Sequence, residues 1–132
     1  MLRGLNHITI AVSDLDRSLT FYTEIAGMHA HVRWDNGAYL SLGGVWFCLS
    51  SDKVLPSQDY SHIALDISEN DFAPFSAKLR NAGVKEWKAN SSEGQSVYFL
   101  DPDGNKLEAH SGNLQTRLNS LKDKPYSGLV WL

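Results

Sequence analysis

Apolar and polar residues alternate strictly at the start of the chain. Leu5, His7, Thr9 and Ala11 lie on one side of residues 5–12, and Asn6, Ile8, Ile10 and Val12 on the other. A period of two marks a half-buried strand, and the isoleucine-valine side is its core face. The pattern then returns. Residues 5–13 read Leu-Asn-His-Ile-Thr-Ile-Ala-Val-Ser, and residues 60–68 read Tyr-Ser-His-Ile-Ala-Leu-Asp-Ile-Ser. His7 and His62 hold equivalent places, with Tyr60, His62 and Ala64 on the face that matches His7 and Thr9.

The periodicity changes after each strand. Ser13-Asp-Leu-Asp and Ser68-Glu-Asn-Asp supply helix caps, and Leu15, Leu19, Tyr22 and Phe72, Phe75, Leu79 follow at helical spacing. Gly27 and Gly83 close the two helices. Second strands are predicted near 28–34 and 84–89. Hairpins come next, one over 37–49 and one over 96–110, the latter turning at Asp101-Pro-Asp-Gly. Superposing the hairpins at Gly44 and Gly104 sets Cys48 opposite Glu108. The predicted fold class is therefore α+β, with a βαβββ unit present twice. Module one covers about 1–50 and module two about 58–112. Residues 113–132 form an appendage with a short helix over 113–121. Each module leaves one sheet face uncovered, so the two must pair to cover or enclose it.

Composition narrows the class. The 132 residues are 42% hydrophobic and 20% charged, as in a folded single domain. A net charge of −3 gives no reason to expect a nucleic acid or an anionic membrane as partner. Cys48 is the one cysteine, which excludes an internal disulfide and a cysteine zinc cluster. No apolar run approaches about 18 residues, so no spanning helix is predicted. The opening Met-Leu-Arg-Gly-Leu-Asn lacks the layout of a signal peptide, and cytoplasmic residence is the expectation.

Three groups of residues carry candidate chemistry. His7, His62 and Glu108 sit at positions related by the duplication. Two imidazoles and a carboxylate form a three-ligand set with open positions, suited to Mn²⁺, Fe²⁺ or Zn²⁺. Residues 87–98 contain a dense polar loop, Asn90, Ser92, Glu93, Gly94 and Ser96. Such a loop is either a solvated surface turn or a holder for an oxygen-bound cation. Lys88, Tyr98 and Arg117 are donors suited to a phosphate-like anion. Trp34, Asn36, Tyr39, Trp46 and Ser50 form the third group, in which Tyr39 and Trp46 are either hairpin pairing residues or neighbours of a reacting thiolate. His29, His31 and His110 receive no role at this level.

These residues resemble a known family. Gly4-Leu-Asn-His-Ile-Thr, Trp34-Asp-Asn-Gly-Ala-Tyr-Leu, Val45-Trp-Phe-Cys-Leu-Ser, Trp87-Lys-Ala-Asn-Ser-Ser-Glu-Gly, Tyr98-Phe-Leu-Asp-Pro-Asp-Gly, Leu107-Glu-Ala-His and Pro125-Tyr carry the resemblance over essentially the whole chain. The chain resembles the vicinal-oxygen-chelate (glyoxalase-like) superfamily and, more closely, the fosfomycin-resistance glutathione transferases. The resemblance implies a strand-swapped homodimer whose sites mix residues of both chains. It implies Mn²⁺ on His7, His62 and Glu108, and K⁺ on Asn90, Ser92, Glu93, Gly94 and Ser96. Fosfomycin would lie among Thr9, Tyr60, Lys88, Ser92, Ser96, Tyr98 and Arg117. Glutathione would approach along Trp34, Asn36, Tyr39, Trp46 and Ser50. Thr9, Tyr39, Lys88 and Arg117 would take part in catalysis. Two positions depart from the family pattern: Ile63 stands where a tyrosine is usual, and Ser91 where an arginine is usual. Opening of the same epoxide by water or another small thiol, and sequestration without chemistry, are the competing expectations.

Overall fold

A computed structural model describes residues 1–132 and shows two four-stranded sheets. The chain divides into two compact units. Unit 1 comprises Met1–Tyr60 with Asp101–Asn105, and unit 2 comprises Ser61–Leu100 with Lys106–Leu132.

In unit 1 the elements are β1 (His7–Val12), α1 (Leu15–Thr20), β2 (His29–Trp34), β3 (Gly37–Leu42) and β4 (Val45–Ser51). A π-helical turn, Phe21–Ile25, prolongs α1. The sheet order is β1-β4-β3-β2, with β1 and β4 parallel and the rest antiparallel. Val12, Leu40, Phe47 and Leu49 are buried on the face where α1 packs against β3 and β4.

The first cap differs from expectation. Asp14, not Ser13, caps α1 by accepting from the Arg17 amide at 3.0 Å. Ser13 instead donates its amide and hydroxyl to the Asp103 carboxylate, which also pairs with Arg17. The Asp101–Asn105 turn is thereby tied to the start of α1. Asp101 organises that turn by accepting from the amides of Asp103 and Asn105 at 2.9 and 2.8 Å. It also accepts from the buried Tyr22 hydroxyl at 2.7 Å.

Burial first, and then the Asp101 charge and hydrogen bond, push the Tyr22 pKa well above that of an ordinary phenol. An unfolded tyrosine ionises at about pH 10, whereas the folded one keeps its proton. Tyr22 therefore stabilises the fold below that pH, and the contribution falls away as pH rises beyond it. Tyr22→Phe is expected to cost about 1.5–3 kcal/mol at neutral pH and to flatten this alkaline loss. Urea unfolding at neutral and alkaline pH measures both effects.

Unit 2 repeats the plan with β5 (Ile63–Asp66), α2 (Glu69–Asn81), β6 (Glu86–Lys88), β7 (Gln95–Leu100) and β8 (Lys106–Ser111), followed by α3 (Leu114–Asp123). Its order is β5-β8-β7-β6. Ser68 caps α2 as expected, accepting from the Asp71 amide. Leu79, Val97, Phe99 and Leu107 are buried on the side where α2 packs against β7 and β8. Asn113 and Thr116 close a reciprocal capping box at the start of α3. β5 is shorter than the strand predicted from Tyr60 onward. His62 lies one residue ahead of it, whereas His7 opens β1.

The two registers bear out the internal alignment. Thr9 pairs with Cys48 and Cys48 with Tyr39 in sheet 1. Ala64 pairs with Glu108 and Glu108 with Tyr98 in sheet 2. Position 48 is thus the counterpart of 108, and Tyr39 that of Tyr98.

Candidate active site

The β8 alternation puts Leu107 and Ala109 against the core and turns Lys106, Glu108 and His110 to the other face. Glu108 is only 7% exposed, so its carboxylate needs partners. The Ser96 hydroxyl donates to Oε1 at 2.6 Å, and His62 Nε2 donates to Oε2 at 2.9 Å. Trp87 and Tyr98 border the His62 ring, with centroids at 5.5 and 6.2 Å. The Trp87 indole is itself fixed by donating to the Leu107 carbonyl at 3.0 Å. Register sets Lys88 opposite Tyr98, and the Lys88 ammonium lies 4.8 Å from the centre of the phenol ring. Unit 2 therefore brings together His62, Lys88, Ser96, Tyr98 and Glu108. Tyr60 is exposed at the end of unit 1.

The polar loop closes on Asn90. Its Nδ2 donates to the carbonyls of Ser92 (3.3 Å) and Gly94 (2.8 Å), while its Oδ1 accepts from the Ser92 amide and hydroxyl, each at 3.1 Å. The Ser92 and Gly94 carbonyls are thus drawn toward one side chain, and the loop is closed by its own hydrogen bonds. Arg117 of α3 clamps the loop from outside. Its Nε donates to Glu93 Oε2 at 3.3 Å, and its Nη2 to Ser92 Oγ at 3.3 Å and the Glu93 carbonyl at 3.2 Å. Burial works against the Arg117 charge, but hydrogen bonds to Glu93 and Tyr126 and their charges outweigh it and raise its pKa. Ser91, Ser92, Glu93, Leu121, Lys124 and Tyr126 line a cavity of about 470 Å³ beside this clamp.

Gly94 has φ of +79°, and a Cβ there would come within 2.6 Å of the Ser111 carbonyl and 2.8 Å of His110. Gly94→Ala is expected to cost about 1–3 kcal/mol and to lower the melting temperature in a calorimetric scan.

Sheet 1 presents its own polar-aromatic face. The pairings His7–Trp46, Thr9–Cys48–Tyr39, Ser50–Gly37 and Gly37–Trp34 put His7, Thr9, Trp34, Tyr39, Trp46 and Ser50 on one side. Ring contacts run unbroken from Trp34 to Tyr39 (4.8 Å), Tyr39 to Trp46 (5.2 Å) and Trp46 to His7 (4.5 Å). The three large aromatics are each about two-fifths exposed (Trp34 44%, Tyr39 39%, Trp46 40%), so this row is an open surface of unit 1. Asn36 lies in the β2–β3 turn, its carbonyl accepting from the Ser51 amide. His7 Nδ1 is 2.7 Å from Asn6 Oδ1. That bond fixes the ring and leaves Nε2 outside it. Cys48 is a buried free thiol.

Neither unit alone brings three histidine, cysteine, aspartate or glutamate side chains into an arrangement that could hold a metal ion. The donor chemistry nevertheless fits one. His62 Nε2 and Glu108 Oε2 face each other at hydrogen-bond distance, and His7 has its second nitrogen engaged by Asn6 as a ligating histidine does.

Sequence reasoning missed two residues here. His110 lies two positions past Glu108 on the same face of β8, and its Nδ1 is 2.7 Å from Ser96 Oγ. Strand alternation alone would have found it. Trp87 stands in the sequence only as part of a motif, because its contacts with Leu107 and His62 are tertiary.

Comparison with known proteins agrees with this picture. The family model for the Glyoxalase/Bleomycin resistance protein/Dioxygenase superfamily matches residues 4–109. The chain is 52% identical over 136 residues to Glutathione transferase FosA of Serratia marcescens, covering 99% of this chain and 96% of that one. It is 40% identical over 139 residues to Metallothiol transferase FosB of Staphylococcus epidermidis, covering 96% of each. Among solved structures, the fosfomycin resistance protein FosX of Listeria monocytogenes, complexed with Mn(II) and sulfate, superposes with a TM-score of 0.81. That pair is 29% identical over 91% of this chain and 98% of the other. Another FosX structure from the same organism, at a TM-score of 0.79 and 28% identity over 90% and 99% of the chains, holds Mn(II) and 1S,2S-dihydroxypropylphosphonic acid. No helix of the chain is long and apolar enough to cross a membrane. The duplicated βαβββ fold, the histidine-glutamate pair and these similarities together show that the chain belongs to the fosfomycin-resistance glutathione transferase family of the glyoxalase superfamily.

Proposed function

We propose that the chain is a cytoplasmic, Mn²⁺- and K⁺-dependent homodimeric glutathione transferase that inactivates fosfomycin by opening its epoxide. The carrying observation is the His62–Glu108–Ser96 cluster flanked by Lys88 and Tyr98, in a chain 52% identical to a glutathione transferase FosA.

His7, His62 and Glu108 are the metal ligands in this reading. The strand-swapped homodimer that the family resemblance implies would build each site from His7 of one protomer and His62 and Glu108 of the other. Bound there, a divalent ion supplies Lewis-acid stabilisation of negative charge on oxygen. Asn90, Ser92, Glu93, Gly94 and Ser96 are the residues that would hold K⁺, which would supply positive charge favouring an anionic substrate.

The remaining steps belong to the chain's own residues. Lys88 and Arg117 neutralise the phosphonate dianion and fix its orientation, and Ser92, Ser96, Tyr98 and Tyr60 complete its surroundings. Trp34, Asn36, Tyr39, Trp46 and Ser50 guide glutathione, and the Tyr39 hydroxyl donates to its thiolate. That thiolate forms a carbon–sulfur bond as the carbon–oxygen bond of the epoxide breaks. The electron pair stays with oxygen, which Thr9 hydrogen-bonds until it takes a proton from solvent.

Complementation tests the shared site. His7→Ala and Glu108→Ala homodimers are each expected to be inactive. Co-refolding them is expected to recover roughly a quarter of wild-type turnover, because half the dimers are mixed and each mixed dimer has one intact site. Absence of recovery from well-formed mixed dimers would rule out the swap. Omitting K⁺ is expected to raise the fosfomycin concentration needed for half-maximal rate.

A further inference from the structure

We propose that His110 is a positioning residue that braces the Glu108 carboxylate through Ser96 and couples it to the Asn90–Ser96 loop. The inference rests on the reading of Glu108 as a metal ligand.

The donor count sets the direction of the chain of hydrogen bonds. An ionised carboxylate only accepts, so the single Ser96 hydroxyl proton points at Glu108 Oε1, 2.6 Å away. Ser96 Oγ can then only accept from His110, whose Nδ1 lies 2.7 Å away. His110 is therefore protonated on Nδ1, and the order runs His110 to Ser96 to Glu108. His110 Nδ1 itself is 3.7 Å from Glu108 Oε1, too far for a direct bond, so Ser96 is the link.

The ring is held in place by what its neighbours lack. A Cβ at Gly94 would come within 2.8 Å of His110 Cε1, and one at Gly112 within 2.8 Å of Nε2. Both glycines have positive φ, +79° and +143°, so the backbone there is shaped for glycine on either side of the imidazole. Gly94 belongs to the polar loop, and its carbonyl is one of the two that face Asn90. One rigid ring thus touches the loop through Gly94 and Glu108 through Ser96. A shift of the loop moves the hydrogen bond that orients the carboxylate. Outer partners of this kind set the ligand angle and tune metal affinity.

Two variants separate the hydrogen bond from the packing. His110→Phe keeps a ring between the glycines and removes the donor. His110→Asn keeps an N–H near the Nδ1 position and gives up the ring. Mn²⁺ affinity of the purified dimer is read from the electron paramagnetic resonance signal of free Mn²⁺, with no substrate present. Expected is a loss of about 10–100-fold in His110→Phe, with His110→Asn staying within about threefold of wild type. Ser96→Ala is expected to match His110→Phe, and the double variant to be no weaker than either single one. Wild-type affinity in His110→Phe, equal loss in His110→Phe and His110→Asn, or additive losses with Ser96→Ala would each overturn the proposal. Failure of the wild type itself to bind Mn²⁺ would instead overturn the metal-ligand reading beneath it.

Discussion

Glu108→Gln is expected to abolish metal-supported turnover, lowering kcat/KM by about a thousandfold or more. The carboxylate is buried and has two hydrogen-bond donors aimed at it, Ser96 on Oε1 and His62 on Oε2. Glutamine keeps the shape but removes the charge, and its amide turns a donor toward one of those donors. In the proposed ligand set a divalent ion would lose its one anionic ligand, which the imidazoles alone would not replace. Metal ions supply several kcal/mol of stabilisation to developing charge, and about 1.4 kcal/mol corresponds to tenfold in rate. Steady-state kinetics at saturating Mn²⁺, with circular dichroism to verify folding, measures the effect. Near-normal rates in the folded variant would remove Glu108 from the ligand set.

Lys88→Ala is expected to raise the KM for fosfomycin about 10–100-fold, with a smaller change in kcat. Register sets Lys88 beside Tyr98, and the ammonium lies over that ring, 4.8 Å from its centre, on the sheet face that carries Glu108. A charge-assisted hydrogen bond is worth about 1.5–3 kcal/mol. Its loss leaves part of the phosphonate charge uncompensated before and during reaction alike, which is why KM carries most of the effect. Arg117 behaves differently, because it also holds Ser92 and Glu93 in place. Unchanged kinetics in Lys88→Ala would count against the anion site.

Much of this molecule is legible in its sequence, because strand alternation is a direct consequence of backbone geometry. The two histidine strands, the Asp101-Pro-Asp-Gly turn, and the equivalence of Cys48 with Glu108 all follow from period and turn chemistry. The structure adds what depends on neighbours distant in sequence. Ser13 is a good capping residue in isolation, yet Asp103, ninety positions away, takes its hydrogen bonds and Asp14 caps the helix instead. Nothing local in the sequence sets His110 apart from any strand histidine, because Ser96 and the two glycines meet its ring only in the folded chain. Arg117, read as a phosphonate donor, is also the clamp of the polar loop, a role set by the packing of α3 rather than by any local motif.

The most direct measurement is product analysis. Purified protein with Mn²⁺ and K⁺ is incubated with fosfomycin and equal concentrations of glutathione, cysteine and a third small thiol, in water, and the products are resolved by ³¹P resonance and mass spectrometry. One dominant product is expected, a 1:1 fosfomycin–glutathione adduct joined through sulfur, which disappears when Mn²⁺ is withheld. A diol or a different thiol adduct as the main product, or tight binding of fosfomycin without consumption, would contradict it.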